Sequence, residues 1–258
     1  MVFLGFLLAM SSALPAQWER EVPRAARPPV IDGRIDPAEW HNAAIIEDFH
    51  QVEPKEGGEP SEETIIYLMV DAQALYIGIQ CLDSDPDAII GTQRQRDARL
   101  DPDDRVEIIL DTFLDRRNAY FFQINPGGSR GDALIANNGS FFNKQWDGIW
   151  YGRAIVHENG WSAEMALPGK TLSMDADRGV FGFNVRRFIK RREEVLQWAN
   201  PSRKRPLFDI SSAGAISGLG VLEQGLGLDI RPYITLRGGR AHESNETRRD
   251  IEAGLDVR

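Results

Sequence analysis

The chain has 258 residues, 42% of them hydrophobic and 27% charged, enough apolar content to bury a full core and too much for a disordered chain. Its formal net charge of −9 excludes nucleic acid as a general partner, because phosphate binding needs concentrated Lys and Arg. A single cysteine, Cys81, excludes an internal disulfide framework, and its place in the apolar run LYIGIQCL makes it a core thiol.

Residues 1–16, MVFLGFLLAMSSALPA, are an apolar run followed by small residues that fit an A-x-A type cleavage site. The run is shorter than a spanning helix requires, so it reads as a signal peptide, and the chain is expected to be exported to the periplasm, outer membrane or cell surface. Residues 17–28 form a polar leader. A domain begins near Val30, Ile31, Asp32 and Gly33. Asp36, Pro37 and Glu39 then combine an N-cap, a proline at the first helical position and a glutamate three residues on, which predicts a short helix carrying Trp40. The acidic stretch 51–63 is expected to be a loop.

Strands are expected at 64–70, 74–82, 105–112, 119–125, 150–157, 161–167 and 181–190. Many short apolar runs separated by scattered Gly and Pro, with no fixed-period repeat, predict an all-β fold. The expected architecture is a two-sheet antiparallel β-sandwich, jelly-roll-like, with short helices, spanning 29–222. Three of the six tryptophans, Trp146, Trp150 and Trp161, fall in WDGIWYGRAIVHENGWSAEMALPGKTL, residues 146–172, where Asn159-Gly160 signals a hairpin turn. After that turn Trp161, Ala163, Met165 and Leu167 share one face, which makes Trp161 a core residue, with Ser162 and Glu164 opposite. Trp18 and Trp40 look peripheral. From Arg186 to Arg205 the chain is locally basic, either a solvated strand end and loop or a contact surface for anionic polysaccharide or lipid headgroups. Residues 223–258 alternate polar with apolar at 226–237 and 250–257, as the start of a β-barrel-like region of a longer protein would.

PPVIDGRIDPAEW, VDAQALYIGIQCLDSDPDAI, DDRVEIILDTFLDRRNAYFFQINPGG, the tryptophan segment and FGFNVRRFIKRREEVLQWANPSR together resemble a family 9 carbohydrate-binding module. More narrowly they resemble the DOMON-like variety found N-terminal to an outer-membrane β-barrel-like region. The resemblance runs from about Pro28 to about Gly220. It implies a non-catalytic β-sandwich that binds β-linked glucan or xylan, often with a structural calcium ion, and an association with a barrel in the same polypeptide. It places Glu107 at the family's sugar-binding acidic position and Trp198 at the second of two stacking aromatics. At the first aromatic position this chain has Arg99, Leu100 and Asp101.

Strand parity sets Arg105, Glu107, Ile109 and Asp111 on one face, and Phe121, Gln123 and Asn125 on one face of the next strand. If the two strands pair, Glu107, Gln123 and Asn125 form a polar floor suited to sugar hydroxyls, with Trp198 as the stacking ring and Trp146 bordering the site. Asp83, Asp85 and Asp87 alternate like calcium-loop carboxylates; Asp101, Asp103 and Asp104 are a second acidic cluster. Glu107 and Asp111 lie about 13 Å apart along one strand, wider than glycosidase geometry requires. His41, His50, His157 and His242 form no metal or triad pattern. Three readings stand: a glycan-binding module of a polysaccharide-binding or polysaccharide-degrading protein, a structural domain of an outer-membrane barrel protein, and a glycoside hydrolase.

Overall fold

The computed structural model describes residues 16–175, 177–225, 230–240 and 247–257. The expected signal peptide lies, apart from Ala16, outside the described residues, as do tail positions 226–229 and 241–246. One short α-helix, α1 (Pro37–Trp40), is capped by Asp36, whose side chain accepts the Ala38 N–H at 2.8 Å. The rest is built on strands: β1 (Glu19–Glu21), β2 (Ala44–Ile46), β3 (His50–Glu53), β4 (Thr64–Val70), β5 (Ala74–Leu82), β6 (Arg105–Asp111), β7 (Ala119–Ile124), β8 (Arg130–Ala136), β9 (Phe141–Asn143), β10 (Tyr151–His157), β11 (Gly160–Pro168), β12 (Phe181–Ile189), β13 (Glu194–Gln197), β14 (Gly214–Ser217), β15 (Ile230–Arg240) and β16 (Thr247–Val257). Runs such as TIIYLMV and RVEIILD, β-branched and aromatic, fit a pleated surface buried on one or both faces.

Two sheets make the sandwich. The larger has the order β1-β14-β12-β6-β7-β8-β9, with β13 continuing along β12 and β3 along β13; the smaller has the order β10-β11-β5-β4-β2. All pairs are antiparallel except β1 with β14. Alternation sends Val106, Ile108 and Leu110 of β6, Phe122 and Ile124 of β7, and Phe181, Phe183 and Val185 of β12 inward. They meet Leu75, Ile77 and Ile79 of β5 and Trp161, Ala163, Met165 and Leu167 of β11. Trp161 is therefore core, as its parity predicts, and so is Cys81, whose thiol burial pushes up to about 11.

Each sheet also has a covered outer face. A strap formed by residues 25–43 lies on the smaller sheet, with Ile31, Ile35 and Trp40 packed against Tyr76, Met69 and Ala166. Its anchor is Glu164, fully buried on β11, which accepts the N–H groups of Asp32 and Gly33 at 2.8 Å and Trp40 Nε1–H at 2.9 Å. Gly33 sits at φ +95, and a Cβ there would stand about 3.1 Å from the Ala154 backbone, so only glycine lets the strap lie flat. Trp40 is thus buried rather than peripheral; the helix that carries it turns its ring onto the sheet. On the larger sheet, Leu207, Ile210 and Ala213 roof a second apolar cluster of Ile109, Phe121, Ala133 and Ile135.

Three local expectations are corrected. His157 pairs with Gly160, so the hairpin turn is Glu158-Asn159, one residue earlier than expected, with Gly160 at φ +136 opening the second strand. The stretch 51–63 is not all loop, because β3 pairs with β13. The basic run 186–205 is divided: Arg187 is 1% exposed and donates to Glu63 O, Leu82 O and Thr64 Oγ1, and Arg191 grips Glu62, whereas Lys190, Arg192, Arg203, Lys204 and Arg205 are exposed, Arg192 on Glu62 and Arg203 on Glu53 at 2.7 Å. Inward parity on β12 is why Arg187 is buried.

The tail forms a separate antiparallel hairpin, β15 with β16. Register places Pro232, Ile234, Ile251, Ala253 and Leu255 on one face and Tyr233, Thr235, Glu252 and Gly254 on the other.

Candidate functional site

The outer face of the larger sheet is divided. Towards Asp111 it is apolar and roofed, as described above. Towards Arg105 it becomes polar, and the register runs one row of side chains across five strands: Gln197 of β13, Arg186 of β12, Glu107 of β6, Gln123 of β7 and Gly131 of β8. Because β6 pairs with β7 in the expected register, Glu107 and Gln123 are direct neighbours. Pairing of β12 with β6 adds Arg186, and β13 adds Gln197.

Glu107 is 7% exposed and takes a 2.8 Å ion pair from Arg105 Nε, with Arg186 on its other flank. Burial raises the Glu107 pKa above the ordinary carboxylate value of 4.5, against the pull of Arg105 and Arg186. Burial also lowers the Arg186 guanidinium, which donates from Nε and Nη2 to Gln197 Oε1 at 3.1 and 2.6 Å. Arg105 lies flat over the Phe188 ring, 3.5 Å from its centroid, and reaches Leu100 O at 3.3 Å. The row thus holds a carboxylate between two guanidiniums beside two primary amides, with the half-buried rings of Phe188 on one side and of Phe142 and Phe208 on the other. Donors and acceptors within one row, bordered by flat rings, suit a ligand with adjacent hydroxyls and an apolar C–H face.

Residues 31–209 match the family described as carbohydrate family 9 binding domain-like. The chain belongs to that family. It is a non-catalytic carbohydrate-binding module. The fold is similar to that of a family 9 module from Caldicellulosiruptor kristjanssonii solved in complex with cellotriose, at 18% identity and TM-score 0.55 over 77% of this chain and 92% of that one. A family 9 module from the same organism in complex with glucose matches at 17% identity and TM-score 0.53, over 80% and 97%. A protein from Bacteroides uniformis described as carbohydrate-binding matches at 14% identity and TM-score 0.60, over 77% and 98%. No curated protein matches the chain.

Of the module's five expected ligand residues, the structure brings together Glu107 and Gln123 and separates the other three. Asn125 is wholly buried and committed. Its amide donates to Gln93 O at 3.0 Å and Asp103 Oδ2 at 2.7 Å, and its carbonyl accepts Ser129 N–H at 2.7 Å, so it pins a loop instead of facing ligand. Trp198 has no exposed face. It alternates with outward Gln197 and so points into the core, where it packs on Phe183 and donates Nε1–H to Asp48 at 3.0 Å. Trp146 is half-buried on the other side of the sheet, against Tyr120 and Phe122, which have inward parity.

Arg186 and Gln197, which complete the row, and Arg105 and Phe188, which pair in the adjacent one, were not among the expected ligand residues. Their parity was readable, since Arg186 and Phe188 alternate within the expected strand 181–190, but the pairing of that strand with β6 was not.

The carboxylates expected to hold calcium do not converge. Asp83 is buried between Arg191 and Arg187, while Asp85 and Asp87 are exposed. Among the described residues no group of three His, Cys, Asp or Glu side chains is arranged to hold a metal ion. The second acidic cluster is likewise spent within the chain: Asp101 pairs with Arg99, Asp103 accepts from Thr92 Oγ1 and Gln93 N–H, and Asp104 from the N–H groups of Ile90 and Lys190.

Proposed function

We propose that the module binds chains of the β-linked glucan or xylan type by seating a sugar on Arg186, Glu107 and Gln123, with the wholly buried Gln197 holding the Arg186 guanidinium in place. The observation that supports this reading is the exposed edge of that row. Gln123 and Arg186 are half-buried, so their polar ends meet a ligand without rearrangement, and Glu107 waits beneath them as the acceptor. A carboxylate flanked by guanidinium and amide groups accepts from one sugar hydroxyl while its neighbours donate to the next. Retention of the purified chain on insoluble xylan or cellulose is the expected result. Folded protein that binds nothing across a broad glycan array contradicts it.

We further propose that the module is exported and that β15 and β16 belong to an outer-membrane barrel in the same polypeptide. The hairpin supports this with its register: exposed Ile234 and Ile251 share one face, and Thr235 and Glu252 the other, the alternation a barrel wall needs. Fractionation of cells expressing the full reading frame should place it in the outer membrane; recovery in the cytoplasm would refute this placement.

A further inference from the structure

Outside the Glu107 row, the smaller sheet carries a groove that its strap leaves open. The strap packs over the row Arg153, Glu164, Gly78 and Tyr67 and onto Met69, Tyr76 and Ala166 of the next one, but leaves that row open at its Tyr151 end, which is 55% exposed. There a cavity of about 460 Å³ lies over Ala166, Ala74 and Pro168, and a second of about 450 Å³ adjoins it across Ala72 and Gln73. Each is within the roughly 300–1,000 Å³ range of small-ligand sites.

The groove is shaped by small residues on its floor and fixed walls. Ala166 stands between Tyr151 and Tyr76 in the strand register, so a methyl group separates two rings. Tyr151 is 55% exposed and offers a ring face, while Tyr76 is buried and held by its hydroxyl, which donates to Asp71 at 2.9 Å. The same Asp71 accepts the N–H groups of Gln73 and Ala74 and stiffens the turn. The opposite wall is fixed by the Glu223 N–H to Ala72 O bond at 2.9 Å. Exposed Lys170, Glu223, Gln224 and Gln73 stand around the rim, an ammonium, a carboxylate and two amides.

The geometry points to a second glycan-binding groove on the smaller sheet, in which a pyranose of a β-linked chain stacks on Tyr151 while Lys170, Glu223 and Gln224 take its hydroxyls. A flat ring beside an apolar floor receives the C–H face of a sugar, and a rim of short-range donors and acceptors receives its edge. The groove lies on the outer face of one sheet and the Glu107 row on the outer face of the other, so a single module can hold two chains or two stretches of one chain, with the gain in retention that bivalency brings. This inference rests on the reading of the chain as glycan-binding but not on the Glu107 row being occupied.

The test is a nuclear magnetic resonance titration of the full chain with cellohexaose and with xylohexaose. In Glu107→Gln, shifts should persist at Tyr151, Ala166, Lys170 and Gln224. Tyr151→Ala should weaken that set at least ten-fold, with its melting unchanged because the ring is exposed, and Tyr151→Phe should restore it. Shifts confined to the neighbourhood of Glu107 in the wild-type chain, or groove shifts that survive Tyr151→Ala, overturn the second site. Shifts in the groove alone support it and remove the Glu107 row instead, and shifts nowhere with either sugar overturn both.

Discussion

At the scale of the residue, parity decides what a side chain can do. Gln197 and Trp198 are adjacent, yet one ends the polar row and the other fills the core beside Phe183, because successive residues of a strand point to opposite sides. Trp198→Ala is therefore a core deletion. It should cost about 3–5 kcal/mol of stability, as large-to-small changes at buried aromatics do, measured by urea unfolding. Loss of glycan binding with undiminished stability would return Trp198 to a stacking role. Glu107 and Gln123 were legible in the sequence because each lies on a well-formed strand and faces away from its apolar neighbours. Asn125 shares that parity and was still misread, since nothing local tells that Asp103 and Gln93 fold back to occupy its amide.

At the scale of the element, β-branched content and alternation placed most of the long strands closely: those expected at 64–70 and 74–82 coincide with β4 and β5. Short pieces were not legible. Strands such as β3, β9, β13 and β14 have three or four residues, too few for a period to emerge, and exist because a longer neighbour offers its edge. The strap was equally hidden, because its anchor is a contact between Glu164 and backbone about 130 positions away. Glu164→Gln replaces one acceptor oxygen by a donor, which must face either the N–H groups of Asp32 and Gly33 or the Trp40 indole. It should cost about 1–3 kcal/mol, with faster hydrogen exchange at Asp32 and Gly33. Unchanged exchange there would mean that the strap is held by its apolar contacts alone.

At the scale of the whole molecule, the two-sheet sandwich followed from composition and strand spacing, whereas the site required knowing which strands lie side by side. The order β13-β12-β6-β7 assembles the row from four segments separated by up to some tens of residues, and no single motif contains it. What the row does as a unit depends on Glu107 being ionised. Burial raises its pKa, so its carboxylate is protonated, and its acceptor role lost, at a higher pH than an ordinary glutamate's value of 4.5. Calorimetric titration of wild type and Glu107→Gln with cellohexaose across the acid range tests the row most directly. Wild-type affinity should fall as pH drops through the raised Glu107 pKa, and the variant should bind at least ten-fold more weakly with no such fall. Equal affinities and the same pH profile in both proteins would contradict the assignment of the sugar to this face.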